Sequence, residues 1–357
     1  MKYSLQLGKI SGIKVQVHWT FILIILWIVY TNLKAGADWI QTGWAVLFVA
    51  ALFVCVILHE LGHALAAKKY HIDTKDITLL PIGGVARLEK MPEKPSQELV
   101  VALAGPLVNI LIIAVLLPFS WQYAPSDMED LAFTNRENFI FKLTLVNLWL
   151  ALFNLIPAFP MDGGRVLRAL LAMSVSRLKA TNIAAMIGQI LSIGFVIAGF
   201  LYNPFLIFIG FFIFIGAQSE AEFTRAKVTI EGYLVGDITM HDYPVLLQIH
   251  TIKDAVHKIL NSQYKNFVVQ GEADIIGTLS RDDVIKALHN GMADSPITTV
   301  MNKNIIKLDV TTPLEVAYQK LQNQASLAPV YQDGHLIGVL DLENIMEFIM
   351  FKTLQLN

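Results

Sequence analysis

The sequence predicts a polytopic α-helical membrane protein with six transmembrane helices, followed by a C-terminal cytoplasmic α/β domain. Three observations lead there. Long apolar runs fill the chain up to about Gly216; basic residues gather on alternate connections between those runs; and the residues after about Val228 have soluble composition and repeat themselves. Of 357 residues, 55% are hydrophobic and 16% charged, and the mean hydropathy of +0.54 exceeds that of ordinary soluble chains.

The apolar runs are Val17 to Leu33, Trp44 to Ala67, Leu99 to Phe119, Phe139 to Ile156, Ile183 to Leu201 and Pro204 to Gln218. Each comes near the roughly 20 residues that a crossing helix needs. Tyr202-Asn203-Pro204 makes the last two a tight antiparallel pair. Lys2, Lys9 and Lys14, then Lys68 to Lys94, then Arg165 to Lys179, then Arg225 and Lys227 all fall on one side. The positive-inside rule makes that side cytoplasmic and places both termini there, in a multi-pass protein of the cell (inner) membrane, with the acidic segment Asp127 to Glu137 outside. Met1 to Gln16 alternates polar and apolar residues and has no apolar centre followed by a cleavage site, so the first run is expected to be retained. A net charge of −2 gives no electrostatic footprint for nucleic acid. The single cysteine, Cys55, is expected to pack in an apolar helix.

Chemistry concentrates in His59-Glu60-Leu61-Gly62-His63. Residues four apart share a helix face, so both imidazoles can address one ion while Glu60 activates a water beside it. A catalytic zinc takes three protein ligands. The third candidate is Asp162, in Asn154-Leu155-Ile156-Pro157-Ala158-Phe159-Pro160-Met161-Asp162-Gly163-Gly164-Arg165, which follows the fourth run and so returns to the level where the second ends. Two prolines and two glycines there break the helix and allow unusual backbone paths. Asp162 also suits a helix N-cap, and one carboxylate does not easily serve both roles. In Ala104-Gly105-Pro106-Leu107-Val108-Asn109, Gly105 fits close helix packing, and Asn109 fits a hydrogen bond to a neighbouring helix better than a place beside the metal. Leu79 to Leu88 reads as strand, turn, strand.

HELGH, AGPLVN and NLIPAFPMDGGR together resemble the site-2 protease family of intramembrane zinc metalloproteases, in its prokaryotic branch with a C-terminal tandem CBS-domain pair. The resemblance spans essentially the whole chain. It implies one catalytic zinc on His59, His63 and Asp162, Glu60 as catalytic base, and Asn154 as an oxyanion or substrate contact. It also implies a substrate that is itself a transmembrane protein, commonly a single-span regulator, whose helix must unwind locally and could pair with the strand at Leu79 to Leu88.

The C-terminal repeat runs at a constant offset of 61 residues, so that Met240 matches Met301, Val269 matches Val330 and Gly277 matches Gly338. Each copy reads as helix, strand, strand, helix, and the duplication resembles a CBS pair. The expected divisions are a membrane protease domain over 1–220, a linker over 221–236, and a CBS domain over 237–357 with copies at 237–292 and 296–352. The resemblance implies an adenine nucleotide contacted by Ser280 and Asp283 in the first copy. The second copy has Asp341 and Asn344 there, and Asp341 would repel phosphate while accepting a hydrogen bond from ribose. Homodimerisation or substrate docking are the other roles open to the pair. A CBS-regulated ion transporter or channel, and a catalytically silent membrane adaptor, are the competing readings of the whole.

Overall fold

Within the alternating segment that precedes the first apolar run, residues 4–10 and 13–18 form strands. In the computed structural model, which describes residues 4–81, 83–88, 92–120, 133–262, 264–272 and 274–355, β1 (Ser4–Ile10) and β2 (Ile13–His18) make an antiparallel hairpin. The expected first span therefore begins too early. Val17 and His18 close β2, where Ile13, Val15 and Val17 alternate with Lys14, Gln16 and His18, and helix α1 starts only at Phe21 (Phe21–Lys34).

Helix α2 (Trp39–Lys69) starts at a capping box in which Asp38 Oδ1 accepts the Gln41 N–H at 2.7 Å and Gln41 Oε1 accepts the Asp38 N–H at 3.1 Å. Next come β3 (Thr74–Leu80) and β4 (Gly83–Leu88), with Ile82 of the expected turn outside the described residues. They complete a four-stranded sheet of order β1-β2-β3-β4, in which β2 and β3 are parallel and the other neighbours antiparallel. Its apolar face, with Ile13, Ile77 and Ala86, packs on Leu61 and Ala64 of α2. On β3, burial alone would raise the Asp76 carboxyl, but the Arg87 guanidinium of β4 and the Thr78 hydroxyl hold it below its ordinary value.

The helices α3 (Pro95–Ser120), α4 (Phe139–Asn154), α5 (Asp162–Ala172), α6 (Arg177–Leu201) and α7 (Phe205–Ile230) follow. Residues 221–230, expected in the linker, continue α7. Among the described residues, α2, α3, α6 and α7 are long and apolar enough to cross a membrane, whereas α1 and α4 are apolar but shorter. Lys2, Lys90 and residues 127–132, which entered the charge argument, lie outside the described residues.

The chain divides into two compact units, Met1–Glu222 and Phe223–Asn357. In the second, β5 (Val245–Leu247), α8 (Ile252–Asn261), β6 (Asn266–Gln270), β7 (Ile275–Ser280) and α9 (Arg281–His289) form one copy. Then β8 (Leu308–Asp309), α10 (Leu314–Gln324), β9 (Leu327–Gln332), β10 (His335–Asp341) and α11 (Leu342–Gln355) form the other. Each makes a three-stranded sheet whose lead-in strand, β5 or β8, lies parallel to the next. These two short strands are additions to the helix, strand, strand, helix pattern. The copies interlock reciprocally: Met240 exchanges two backbone hydrogen bonds with Val339 in the other copy, and Asn302 does the same with Thr278.

Candidate metal centre

The two histidines of HELGH lie one turn apart on α2, buried, with ring centroids 4.8 Å apart. Asp162 is the first residue of α5; Met161 occupies the N-cap position, so the carboxylate is not used as the cap. Instead Asp162 Oδ2 lies 3.2 Å from His59 Nε2 and 3.0 Å from His63 Nε2, and the two Nε2 atoms are 3.2 Å from each other. Among the described residues this is the cluster of His, Cys, Asp and Glu side chains whose ligand atoms could hold one metal ion.

Close backbone approach makes the triangle possible. A Cβ on Gly105 of α3 would fall 2.2 Å from His63 Nε2 and 2.7 Å from His59 Nε2, so any side chain there would occupy the space between the imidazoles. Gly62 brings α2 and α3 together in the same way, its Cβ position being 2.8 Å from the Ala104 carbonyl oxygen. On the other side, a Cβ on Gly163 would strike the Ile156 carbonyl oxygen at 2.2 Å, and one on Gly164 the Phe159 nitrogen at 2.5 Å. The glycine pair thus lets α5 start directly against the Pro157–Pro160 loop, which fixes Asp162 at the height of the histidines.

A buried charge cluster anchors the rest of α5. Arg168 is 1% exposed. Its Nε donates to Glu98 Oε1 of α3 at 2.8 Å and its Nη1 to Glu220 Oε1 of α7 at 2.5 Å. Its guanidinium also stands 5.1 Å from the Phe159 ring centroid. Arg177, at the start of α6, pairs with Glu98 Oε2 at 3.2 Å. Sequence reasoning gave Glu98 and Glu220 no role and counted Arg168 only among the basic residues between runs, because each lies just outside an apolar run, where a charged residue is ordinarily solvated.

The donor set fits zinc on its own chemistry. His63 Nδ1 faces the Val101 carbonyl oxygen at 2.7 Å, an atom that can only accept, so the neutral ring carries its proton on Nδ1 and leaves Nε2 bare. His59 Nδ1 is likewise engaged, by Asn109 Oδ1 at 2.5 Å. With both rings neutral and their protons on Nδ1, lone pairs on two nitrogens and a carboxylate oxygen converge, an arrangement that suits a cation. Ligands at the usual zinc distances of about 2.0 Å in tetrahedral geometry stand about 3.3 Å apart, close to the separations found.

Glu60 projects beside the cluster, and its Oε2 accepts the Ala86 N–H of β4 at 3.2 Å. Gly84 lets that strand pass, since a Cβ there would lie 2.9 Å from Glu60 Cγ. Asn109 bonds both His59 and Asn147 of α4, so it touches the metal-site shell as well as the neighbouring helix. Asn154 sits in the last turn of α4, and its Nδ2 donates to Leu150 O of the same helix at 3.0 Å. Asn147, completely buried in α4, was missed; an amide inside an apolar helix was the signal for it.

Comparison with known proteins decides the family. The model of peptidase family M50 matches residues 47–126 and 122–198, and that of the CBS domain matches 235–290 and 297–351. A zinc metalloprotease of Methanocaldococcus jannaschii is 34% identical over 356 residues, covering 99% of this chain and 98% of its own. The chain belongs to peptidase family M50. This M50 peptidase is also 32% identical over 130 residues to the stage IV sporulation protein FB of Bacillus subtilis strain 168, 36% of this chain and 42% of that one. A solved site-2 protease structure from Methanocaldococcus jannaschii is 41% identical and aligns with a TM-score of 0.45 over 61% of this chain and 95% of its own. The M50 peptidase is an intramembrane zinc metalloprotease with a C-terminal CBS pair, and a transporter reading finds no support where the family match falls across the membrane helices.

In the CBS unit, Ser280 and Asp283 cap α9 reciprocally: Ser280 Oγ donates to Asp283 Oδ2 at 2.6 Å and accepts the Asp283 N–H at 3.2 Å. Both line a cleft of about 1010 Å³ with Lys265, Arg281, Lys286 and Glu343. Asp341 is outside that lining; its Oδ1 accepts the Asn344 N–H at 2.8 Å and its Oδ2 the Asn266 amide at 3.4 Å.

Replacing Gly105 with alanine should displace both imidazoles. Zinc content of the purified Gly105→Ala protein should fall well below that of the wild type while its helical circular dichroism is kept, and equal zinc content would show that the glycine is not what opens the site.

Proposed function

We propose that His59, His63 and Asp162 hold the catalytic zinc and that Glu60 is the general base of an endopeptidase that cuts within or near the transmembrane helix of its substrate. The observation that carries this is the triangle of Nε2, Nε2 and Oδ2 atoms 3.0 to 3.2 Å apart beside a carboxylate. When bound, zinc supplies a Lewis acid that polarises a carbonyl and brings the pKa of water to about 7. The Glu60 carboxylate takes the proton of the attacking water and returns it to the leaving amine. Its Oε1 can take that proton while Oε2 accepts the N–H of Ala86, which lies on β4 at the edge of the sheet. An extended substrate segment adding to that edge competes for the same N–H, so recognition and release of the base coincide. Asn154 serves as an oxyanion or substrate contact once its bond to Leu150 O opens.

We further infer six crossings, with the shorter α1 and α4 joining the four long helices, both termini and the CBS unit in the cytoplasm, and the protein in the cell membrane. The distribution of Lys and Arg supports this. A protease domain over 1–220 and CBS copies at 237–292 and 296–352 fit that scheme, the connection between them beginning as the helical continuation of α7 up to Ile230, and a single-span regulatory protein is the fitting substrate. In the CBS unit, the cleft that Ser280 and Asp283 line has Lys265, Arg281 and Lys286 for phosphate and suits an adenine nucleotide that modulates activity; homodimerisation through the same unit is compatible with it.

Two variants separate the roles. Glu60→Gln should keep zinc but lose cleavage of a membrane-inserted test substrate by about 10²–10⁴-fold, whereas Asp162→Ala should weaken zinc binding by more than about 100-fold in chelator competition. Retained cleavage in the first or unchanged zinc affinity in the second defeats the corresponding assignment. Calorimetry of the whole protein with ATP, ADP and AMP should give binding heat with at least one; none with any would remove the nucleotide role.

A further inference from the structure

Asn147 holds the key to how His59 presents itself. It is completely buried on α4, as is Asn109 on α3. Its Nδ2 donates to the Leu143 carbonyl oxygen one turn back, at 2.8 Å. A main-chain carbonyl offers only lone pairs, so the group that faces it is the NH2 and the side-chain oxygen points away. That oxygen accepts from Asn109 Nδ2 at 2.9 Å. With its own NH2 so committed, Asn109 has only Oδ1 left for His59 Nδ1, which it meets at 2.5 Å. An acceptor there requires the proton on Nδ1. The lone pair of the neutral ring then lies on Nε2, the atom that faces Asp162 Oδ2 at 3.2 Å.

We propose that Asn147 is a positioning residue of the metal site: acting through Asn109, it fixes the tautomer and ring orientation of His59 so that a bare Nε2 meets the ion. The inference rests on the reading of His59 as a zinc ligand. The polarity of the whole chain originates at the Leu143 carbonyl, the one member that cannot be turned round. Without Asn147, the Asn109 amide has no reason to prefer one face. In its flipped state an NH2 confronts Nδ1 and drives the proton to Nε2, where it blocks the metal. His63 needs no such relay, because its Nδ1 partner is itself a backbone carbonyl, that of Val101.

The test is zinc affinity, read by chelator competition on the full-length protein in detergent, with helical circular dichroism as the control for folding. Asn147→Leu should weaken zinc by about 10- to 100-fold, the range usual for groups that orient metal ligands. Asn147→Asp, whose protonated carboxyl can still donate to Leu143 O and accept from Asn109, should recover most of that loss. A double-mutant cycle distinguishes orientation from packing. In Asn109→Asp an acceptor faces His59 whichever way the carboxylate turns, so adding Asn147→Leu to it should cost little more. Should Asn147→Leu not fold, Asn147→Ser removes the NH2 with the same expectation.

Wild-type affinity in a folded Asn147→Leu or Asn147→Ser protein overturns the proposal, as does an equal loss in the Asn109→Asp background, which would make the residue a packing element. Absence of zinc from the wild-type protein would instead strike the reading of the metal site itself.

Discussion

Three lone-pair atoms held 3.0 to 3.2 Å apart in a buried site repel one another unless a cation joins them, and the first unit is organised around making that convergence tolerable. The repulsion is resisted from three directions. On one side the Val101 carbonyl and the Asn109 amide hold the outer nitrogens of the two rings. On another, Gly105 lets the backbone of α3 reach the imidazoles. The third is α5, whose first residue brings the carboxylate in.

The position of α5 is the costly part. Its glycine pair packs against loop backbone, which needs residues without Cβ atoms, and its far end is held by Arg168 between two carboxylates from α3 and α7. Burying an arginine and a glutamate in this way contributes little net stability, since desolvation cancels much of the attraction. What it contributes is direction: a planar guanidinium bonded to two helices and placed beside Phe159 admits one placement of α5. Asp162 inherits that placement. The edge strand β4 adds a functional constraint, since the N–H that a substrate strand would seek is the one that now holds the proposed base.

Much of this was legible in the sequence because it depends on residue types with few uses. HExxH fixes two imidazoles on one helix face whatever surrounds them, and the repeat offset of 61 residues revealed the CBS copies without any structural input. Asp162 was legible as a candidate but ambiguous with an N-cap; the structure separates the roles by putting Met161 at the cap. The first span was misplaced at its start because Val17 extends an apolar run that belongs to a strand of period two. Other features could not be read, since they depend on which helices meet. Nothing local to Asn147 says that it stands behind Asn109, and nothing local to Arg168 says that two carboxylates from distant segments reach it. Likewise, Ser280 and Asp283 read as ligand contacts, while the structure shows that they first cap a helix.

X-ray absorption at the zinc edge of the purified wild-type protein addresses the metal assignment most directly. Zinc held by His59, His63 and Asp162 gives nitrogen and oxygen neighbours alone at about 2.0–2.2 Å, with more distant scattering from two imidazoles. A sulfur at about 2.3 Å, from the single cysteine Cys55, or scattering from one or three imidazoles, would rule that ligand set out.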